Sequence, residues 1–192
     1  MVNEMLKNYG KVEGNTGMFT GQREIYHYLS TLKFVKTVCE IGFNAGHSSF
    51  MWLAGKDTNR LYSFDIGRHW IAREVVQYFE SKYKDRFHIT FGDSLESVPE
   101  FAKRHPEVKC DVLVVDGGHT FEIAFSDLMN LKPMANKHTN ILILDDYPNN
   151  ENLVGKAWKM MATNDYIKEL FRCLVTRKNF LNVHGFSAGY YI

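Results

Sequence analysis

Apolar positions along this chain follow two alternating rhythms. Ile25, Tyr28, Leu29 and Leu32 fall at i, i+3, i+4 and i+7, which predicts a helix running from about Arg23. Short continuous apolar runs at 37–41, 61–64, 87–91, 112–115 and 141–144 have the length of buried strands. The stretches between them, 48–54, 70–83, 95–103 and 120–131, return to helical spacing; in the last, Phe121, Ala124, Phe125 and Leu128 make one stripe. A further helix is predicted over 153–162, followed by strands over 170–175 and 186–192. Strand and helix in strict alternation imply parallel strands joined by crossover helices. The fold class predicted is therefore α/β: one doubly wound, mostly parallel seven-stranded sheet with helices on both faces. The domain spans 22–192, and the polar, glycine-rich opening at 1–21 reads as an arm or lid.

Composition narrows the picture. The 192 residues carry 23 Lys plus Arg against 22 Asp plus Glu, and no basic face or tail is set apart to neutralise a phosphate backbone. Nucleic acid is not the expected partner. No segment approaches the roughly 20 apolar residues of a membrane span, and the N-terminus lacks the apolar stretch of a secretory signal. Cys39, Cys110 and Cys173 stand far apart with no CxxC pair, so neither a zinc site nor a disulfide framework is suggested. A reducing, cytoplasmic setting is expected.

In an open parallel sheet, ligands settle at the carboxyl ends of the strands where strand order reverses. After the first strand the chain reads Glu40, Ile41, Gly42, Phe43, Asn44, Ala45, Gly46, His47, Ser48. The glycines permit a sharp turn, and the helix that follows offers free N–H groups to a carboxylate or phosphate. Asn44 stands where a dinucleotide fingerprint needs its second glycine, which speaks against that class. The second strand ends at Asp65, about 20 residues beyond the glycines, where a carboxylate can accept from both ribose hydroxyls. The third ends at Asp93 and Ser94.

The acidic-x-Gly-x-x-x-Gly segment, with acids in order at the next strand ends, resembles the class I S-adenosylmethionine-dependent methyltransferases over roughly residues 20–192. That resemblance implies S-adenosylmethionine as cofactor, Asp93 against the adenine amino group, and a cofactor site drawn from Glu40, Gly42, Asn44, Gly46, His47, Ser48, Asp65, Asp93, Ser94 and Asp116.

Methyl transfer from a sulfonium needs a nucleophile held in line and relieved of its proton. The fourth strand ends Asp116, Gly117, Gly118, His119 and the fifth ends Asp145, Asp146, Tyr147. If the two strands are neighbours, their ends lie about 5 Å apart, and Asp116, Asp145 and Asp146 can converge on one hard divalent cation such as Mg²⁺. Such an ion would chelate two adjacent acceptor oxygens and lower the pKa of one. Consecutive strand residues face opposite ways, so both Asp145 and Asp146 reach one ion only if the strand has already broken. His119 has a pKa suited to accepting a proton. The Asp-Gly-Gly-His run is similar to that of metal-dependent sugar O-methyltransferases, and the acid pair to that of catechol O-methyltransferase-like enzymes. The resemblance makes His119 the catalytic base, and Gly17 to Thr20 a segment closing over the cofactor.

The reading that results is an O-methyltransferase acting on a hydroxyl of a sugar or other small vicinal diol, with a divalent metal. A catechol-type enzyme and a non-catalytic S-adenosylmethionine-binding module are the alternatives. The chain has no large insertion to cap its substrate, so the pocket is open or a homo-oligomer completes it. Trp52 and Trp158 read as core and Trp70 as the indole to watch; Arg68 and His69 read as cofactor contacts or solvated residues, Tyr147 as a pocket lining and His184 as structural.

Overall fold

A computed structural model describes residues 20–147, 151–176 and 183–192; most of the expected arm, including Gly17 to Phe19, lies outside these. The elements are α1 (Thr20–Thr31), β1 (Thr37–Ile41), α2 (His47–Ala54), β2 (Arg60–Asp65), α3 (Trp70–Tyr83), β3 (Phe87–Phe91), α4 (Ser94–Arg104), β4 (Val112–Val115), α5 (Phe121–Leu131), β5 (Ile141–Asp145), α6 (Val154–Thr163), β6 (Ile167–Thr176) and β7 (Val183–Tyr191). They build one seven-stranded sheet of order β3-β2-β1-β4-β5-β7-β6. The first five strands are parallel, and β7 enters antiparallel between β5 and β6. This is the predicted fold class, and strand order reverses between β1 and β4.

Alternation along the strands divides the core in two. Val38, Val112, Val114 and Ile143 face one side, against Tyr26, Trp52, Val75 and Phe79 of α1, α2 and α3. Cys39, Leu113, Val115, Leu142 and Leu144 face the other, against Val98, Leu128 and Trp158 of α4, α5 and α6. Two-sided burial is why these strands read as unbroken apolar runs.

Two expectations are corrected. On α1 the inward stripe is Gln22, Tyr26 and Ser30, all buried, with Ile25 and Leu29 beside it, while Tyr28 is 63% exposed. Counting apolar residues alone misplaced the face, because two of its members are polar. The cysteines, expected to stay apart, include a disulfide: Cys39 and Cys110, 71 positions apart, have Cα atoms 5.8 Å from each other and are both fully buried. Adjacency of β1 and β4, invisible in sequence spacing, brings them together. Cys173 is free.

Strand pairing continues past the strand ends into the connecting loops. Gly42 N–H donates to Phe64 C=O at 2.8 Å, Asp116 N–H to Ile41 C=O at 2.9 Å, and Gly92 N–H to Asp65 C=O at 2.9 Å. Among the described residues no helix is long and apolar enough to cross a membrane. The side chain of His184 lies outside the described residues.

Candidate active site

A cleft of about 490 Å³ opens at the carboxyl ends of β1 to β4, at the point of strand-order reversal. Its first wall is the loop after β1. Gly42 adopts φ +99°, and a Cβ there would lie 1.9 Å from the Asp116 carbonyl oxygen, so only glycine fits. Asn44 also sits at positive φ, 47°, a conformation Asn tolerates better than most residues. Phe43 anchors the loop from below, its ring edge-on to Phe79 at 5.4 Å. Gly42, Asn44, His47 and Ser48 line the cleft. Burial pushes the His47 imidazole down to about 4, so it is neutral at pH 7.

Asp65 holds that loop in shape. Its Oδ2 accepts from the backbone N–H of Phe43 at 2.9 Å and of Asn44 at 2.8 Å, and its Oδ1 from Gly67 N–H at 2.7 Å. A carboxylate has about four acceptor directions. Three are spent on the backbone, so the side chain facing the cleft is an organiser of the loop as well as an acceptor. On the next wall, Asp93 caps α4 by accepting from Leu95 N–H at 2.9 Å, and both Asp93 and Ser94 line the cleft. Arg68 and His69 line it too.

Glu40 and Gly46 do not line the cleft. Glu40 lies beneath the loop, fully buried, and accepts from the hydroxyls of Ser48 (3.0 Å), Ser63 (3.0 Å) and Ser49. Burial pushes its carboxyl up to about 7, against the opposing pull of those hydroxyls. Gly46, at φ +71°, starts α2 against Phe43 and Phe79.

The acidic mouth assembles as β4 and β5 pair, with Val115 beside Leu144. The strand ends at Asp145, and Asp146 takes φ +60°, which turns it out of the strand. Its Oδ2 lies 2.9 Å from His119 Nε2. Asp116, His119 and Asp146 each present a ligand atom within 4.8 Å of the others. Asp145, buried beside Asp116 and in side-chain hydrogen-bond contact with it, also accepts from Gln22 Nε2 at 2.7 Å. The structure thus adds the His119 imidazole to the expected carboxylates at this mouth. Burial, then the charges of Asp145 and Asp146, push Asp116 well above the usual carboxylate range. Asp116 and His119 line the cleft, with His119 59% exposed at its rim.

Trp52 and Trp158 are core, as expected, and Trp70 is exposed outside the cleft lining. Tyr147 is buried under the Arg172 guanidinium, 4.9 Å from its ring, and is not part of that lining. Sequence reading missed Gln22, Ser49, Ser63 and Asp127. Asp127 is buried behind Gly117, whose added Cβ would meet its Oδ2 at 2.8 Å, and burial pushes its carboxyl up to about 6. A signal existed for it: Ala124, Asp127, Leu128 and Leu131 form one helical stripe, and a carboxylate on an apolar stripe is a buried acid.

The family profile described as a methyltransferase domain matches residues 39–147, the span from β1 to the end of the acidic mouth. No curated protein sequence matches the chain significantly. Among solved structures, an O-methyltransferase from Bacillus cereus in complex with SAH superposes with a TM-score of 0.76 at 14% identity, covering 98% of this chain and 89% of the other. The O-methyltransferase TomG from Streptomyces achromogenes, of tomaymycin synthesis and in complex with SAM, gives 0.71 at 17% identity, covering 89% and 79%. CalS11, a TDP-rhamnose 3′-O-methyltransferase of calicheamicin biosynthesis, gives 0.63 at 15%, covering 97% and 90%. At these identities the likeness is one of fold.

Proposed function

Since the chain belongs to this methyltransferase-domain family, we propose that it moves a methyl group from S-adenosylmethionine to a hydroxyl of a sugar or other small diol, with His119 as the base. One observation carries the proposal: an Asp146–His119 pair, 2.9 Å apart, at the rim of a cleft whose floor is a glycine turn. The neighbouring O-methyltransferases, one acting on a TDP-rhamnose, support the choice of oxygen and of a sugar.

The cofactor's parts find matching groups. Asp65 would accept from the ribose, Asp93 and Ser94 would flank the adenine, and the amides at the start of α2, with neutral His47 and Ser48, would receive the methionine carboxylate. Asp116 faces the amino group. The acceptor then sits between sulfonium and His119. Its oxygen attacks the methyl carbon, the C–S bond breaks with its electrons left on sulfur, and the hydroxyl proton passes to the imidazole. Asp146 on Nε2–H fixes the tautomer, so Nδ1 is the nitrogen that accepts.

A second reading rests on the same three residues. Two carboxylates and an imidazole within 4.8 Å fit a divalent cation, and the nitrogen donor favours Mn²⁺ over the strictly oxygen-seeking Mg²⁺. Such an ion would acidify the acceptor hydroxyl. His119 then serves as a ligand and is unavailable as a base.

The test is turnover with S-adenosylmethionine across sugars, vicinal diols and catechols, with and without EDTA, on wild type, His119→Gln and Asp146→Asn. The base reading expects EDTA to change nothing and His119→Gln to lower kcat by about 10²-fold or more while leaving SAH affinity intact. Loss of activity in EDTA, restored by Mn²⁺, selects the cation reading. Binding of cofactor with no turnover on any acceptor overturns both and leaves a binding module.

A further inference from the structure

Asp127 sits on the apolar stripe of α5 with Ala124, Leu128 and Leu131, and it is fully buried. Its Oδ2 lies against the floor of the cleft: a Cβ on Gly117, a lining residue, would meet it at 2.8 Å. Neither carboxylate oxygen completes a hydrogen bond among the described residues. Two hydroxyls bear on it electrostatically, those of Tyr191 and Ser94. Tyr191 has already given its hydrogen to the Leu128 carbonyl at 2.6 Å. Ser94 has not, and its hydroxyl acts on Asp127 as a donor still short of a full bond, opposing the rise that burial imposes on the carboxyl.

Ser94 opens α4 directly after Asp93 and lines the cleft. A hydroxyl carries one hydrogen, and an ionised carboxylate only accepts. Once that hydrogen points to Asp127, Ser94 Oγ offers nothing but lone pairs to whatever enters the cleft. Asp93 on the same wall is likewise an acceptor, with one oxygen already taken by Leu95 N–H at 2.9 Å. A wall of acceptors suits a base that brings hydrogens. We propose that Asp127 is a positioning residue for the cofactor's base: it takes the Ser94 hydroxyl hydrogen, so that Ser94 Oγ accepts from the 6-amino group of adenine and rejects a 6-oxo base. This rests on the reading above that Ser94 flanks the adenine. Gly117 belongs to the same device, since any side chain there would press on the carboxylate.

The experiment is titration calorimetry of the full chain at about pH 8, where Asp127 is ionised, with SAH and with S-inosylhomocysteine, its 6-oxo counterpart. Wild type, Asp127→Asn, Ser94→Ala and the double variant are compared. Wild type should favour SAH by about a hundredfold, since a 6-oxo group sets acceptor against acceptor and leaves both unpaired. In Asp127→Asn the Ser94 hydroxyl is free to turn and donate, so the preference should fall about tenfold, with Asp93 keeping the remainder. Ser94→Ala should fall as far, and the double variant no further. A merely structural Asp127 would weaken both ligands alike; an unchanged ratio in folded Asp127→Asn overturns the proposal alone, as does a wild type that binds the two equally. Should Asp127→Asn fail to fold, Ser94→Ala decides: a retained ratio overturns the proposal, and a ratio cut about tenfold supports it. Absence of SAH binding by wild type overturns the cofactor reading and this proposal together.

Discussion

Glu40 makes the folding stability of this protein depend on pH in an uncommon direction. Its carboxyl is fully buried and pushed from an ordinary 4.5 up to about 7. An acid whose pKa is raised on folding binds its proton more tightly in the folded state, so its contribution is complete below about pH 4.5 and is lost as pH rises through 7. At about 1.4 kcal/mol per unit, that displacement corresponds to about 3 kcal/mol. The perturbation is Glu40→Gln, which keeps the shape and a hydrogen-bonding oxygen for Ser48, Ser49 and Ser63 while removing the charge. Urea unfolding from pH 5 to 8.5, on both proteins, isolates the group, because other titrations cancel in the difference. Near pH 5 the two should differ little. By pH 8 the variant should have gained up to about 3 kcal/mol on wild type, most of it between pH 5 and 7. Parallel stability curves across that range would refute the assignment of a buried, proton-holding Glu40.

Asp65→Asn should weaken SAH binding at least about tenfold and destabilise the loop by about 1 to 3 kcal/mol, because an amide has one accepting oxygen and cannot serve the N–H groups of Phe43, Asn44 and Gly67 together; wild-type affinity in calorimetry would contradict this. Gly42→Ala should cost about 3 kcal/mol or more in chemical denaturation, since the new Cβ meets the Asp116 carbonyl and φ is +99°. Thiol titration should find one reactive cysteine, Cys173, in the protein denatured without reductant and three after reduction. Three thiols before reduction would mean that Cys39 and Cys110 are not joined.

Local pattern made the fold legible. Every strand and helix appears near its predicted place, with 70–83 and 112–115 matching residue for residue, because two-sided burial writes unbroken apolar runs and crossover helices write stripes. The glycine turn and Asp65 were legible for a similar reason, as their roles depend on neighbours close in the chain or on a fixed spacing between strand ends. What sequence could not show is contact between distant polar residues. Glu40 reads as a cofactor residue but turns down to three serines. Asp145 and Asp146 read as one pair, yet a left-handed turn at Asp146 sends one to His119 and the other to Gln22. Gln22 and Ser30 escaped notice because an apolar-only count treats a buried polar residue as surface, and the Cys39–Cys110 bond because strand order is not written in spacing.

The backbone bonds that carry strand pairing beyond β1, β3 and β4 bear on how ligand is received. Gly42, Gly92 and Asp116 are stitched to Phe64, Asp65 and Ile41, so the turns that would touch the cofactor are continuations of the sheet. Binding then orders little that was loose, and little conformational entropy is surrendered when the cleft fills. Hydrogen exchange at these three amides should be as slow as in the strands themselves. Recognition on this side of the cleft becomes a matter of shape already set.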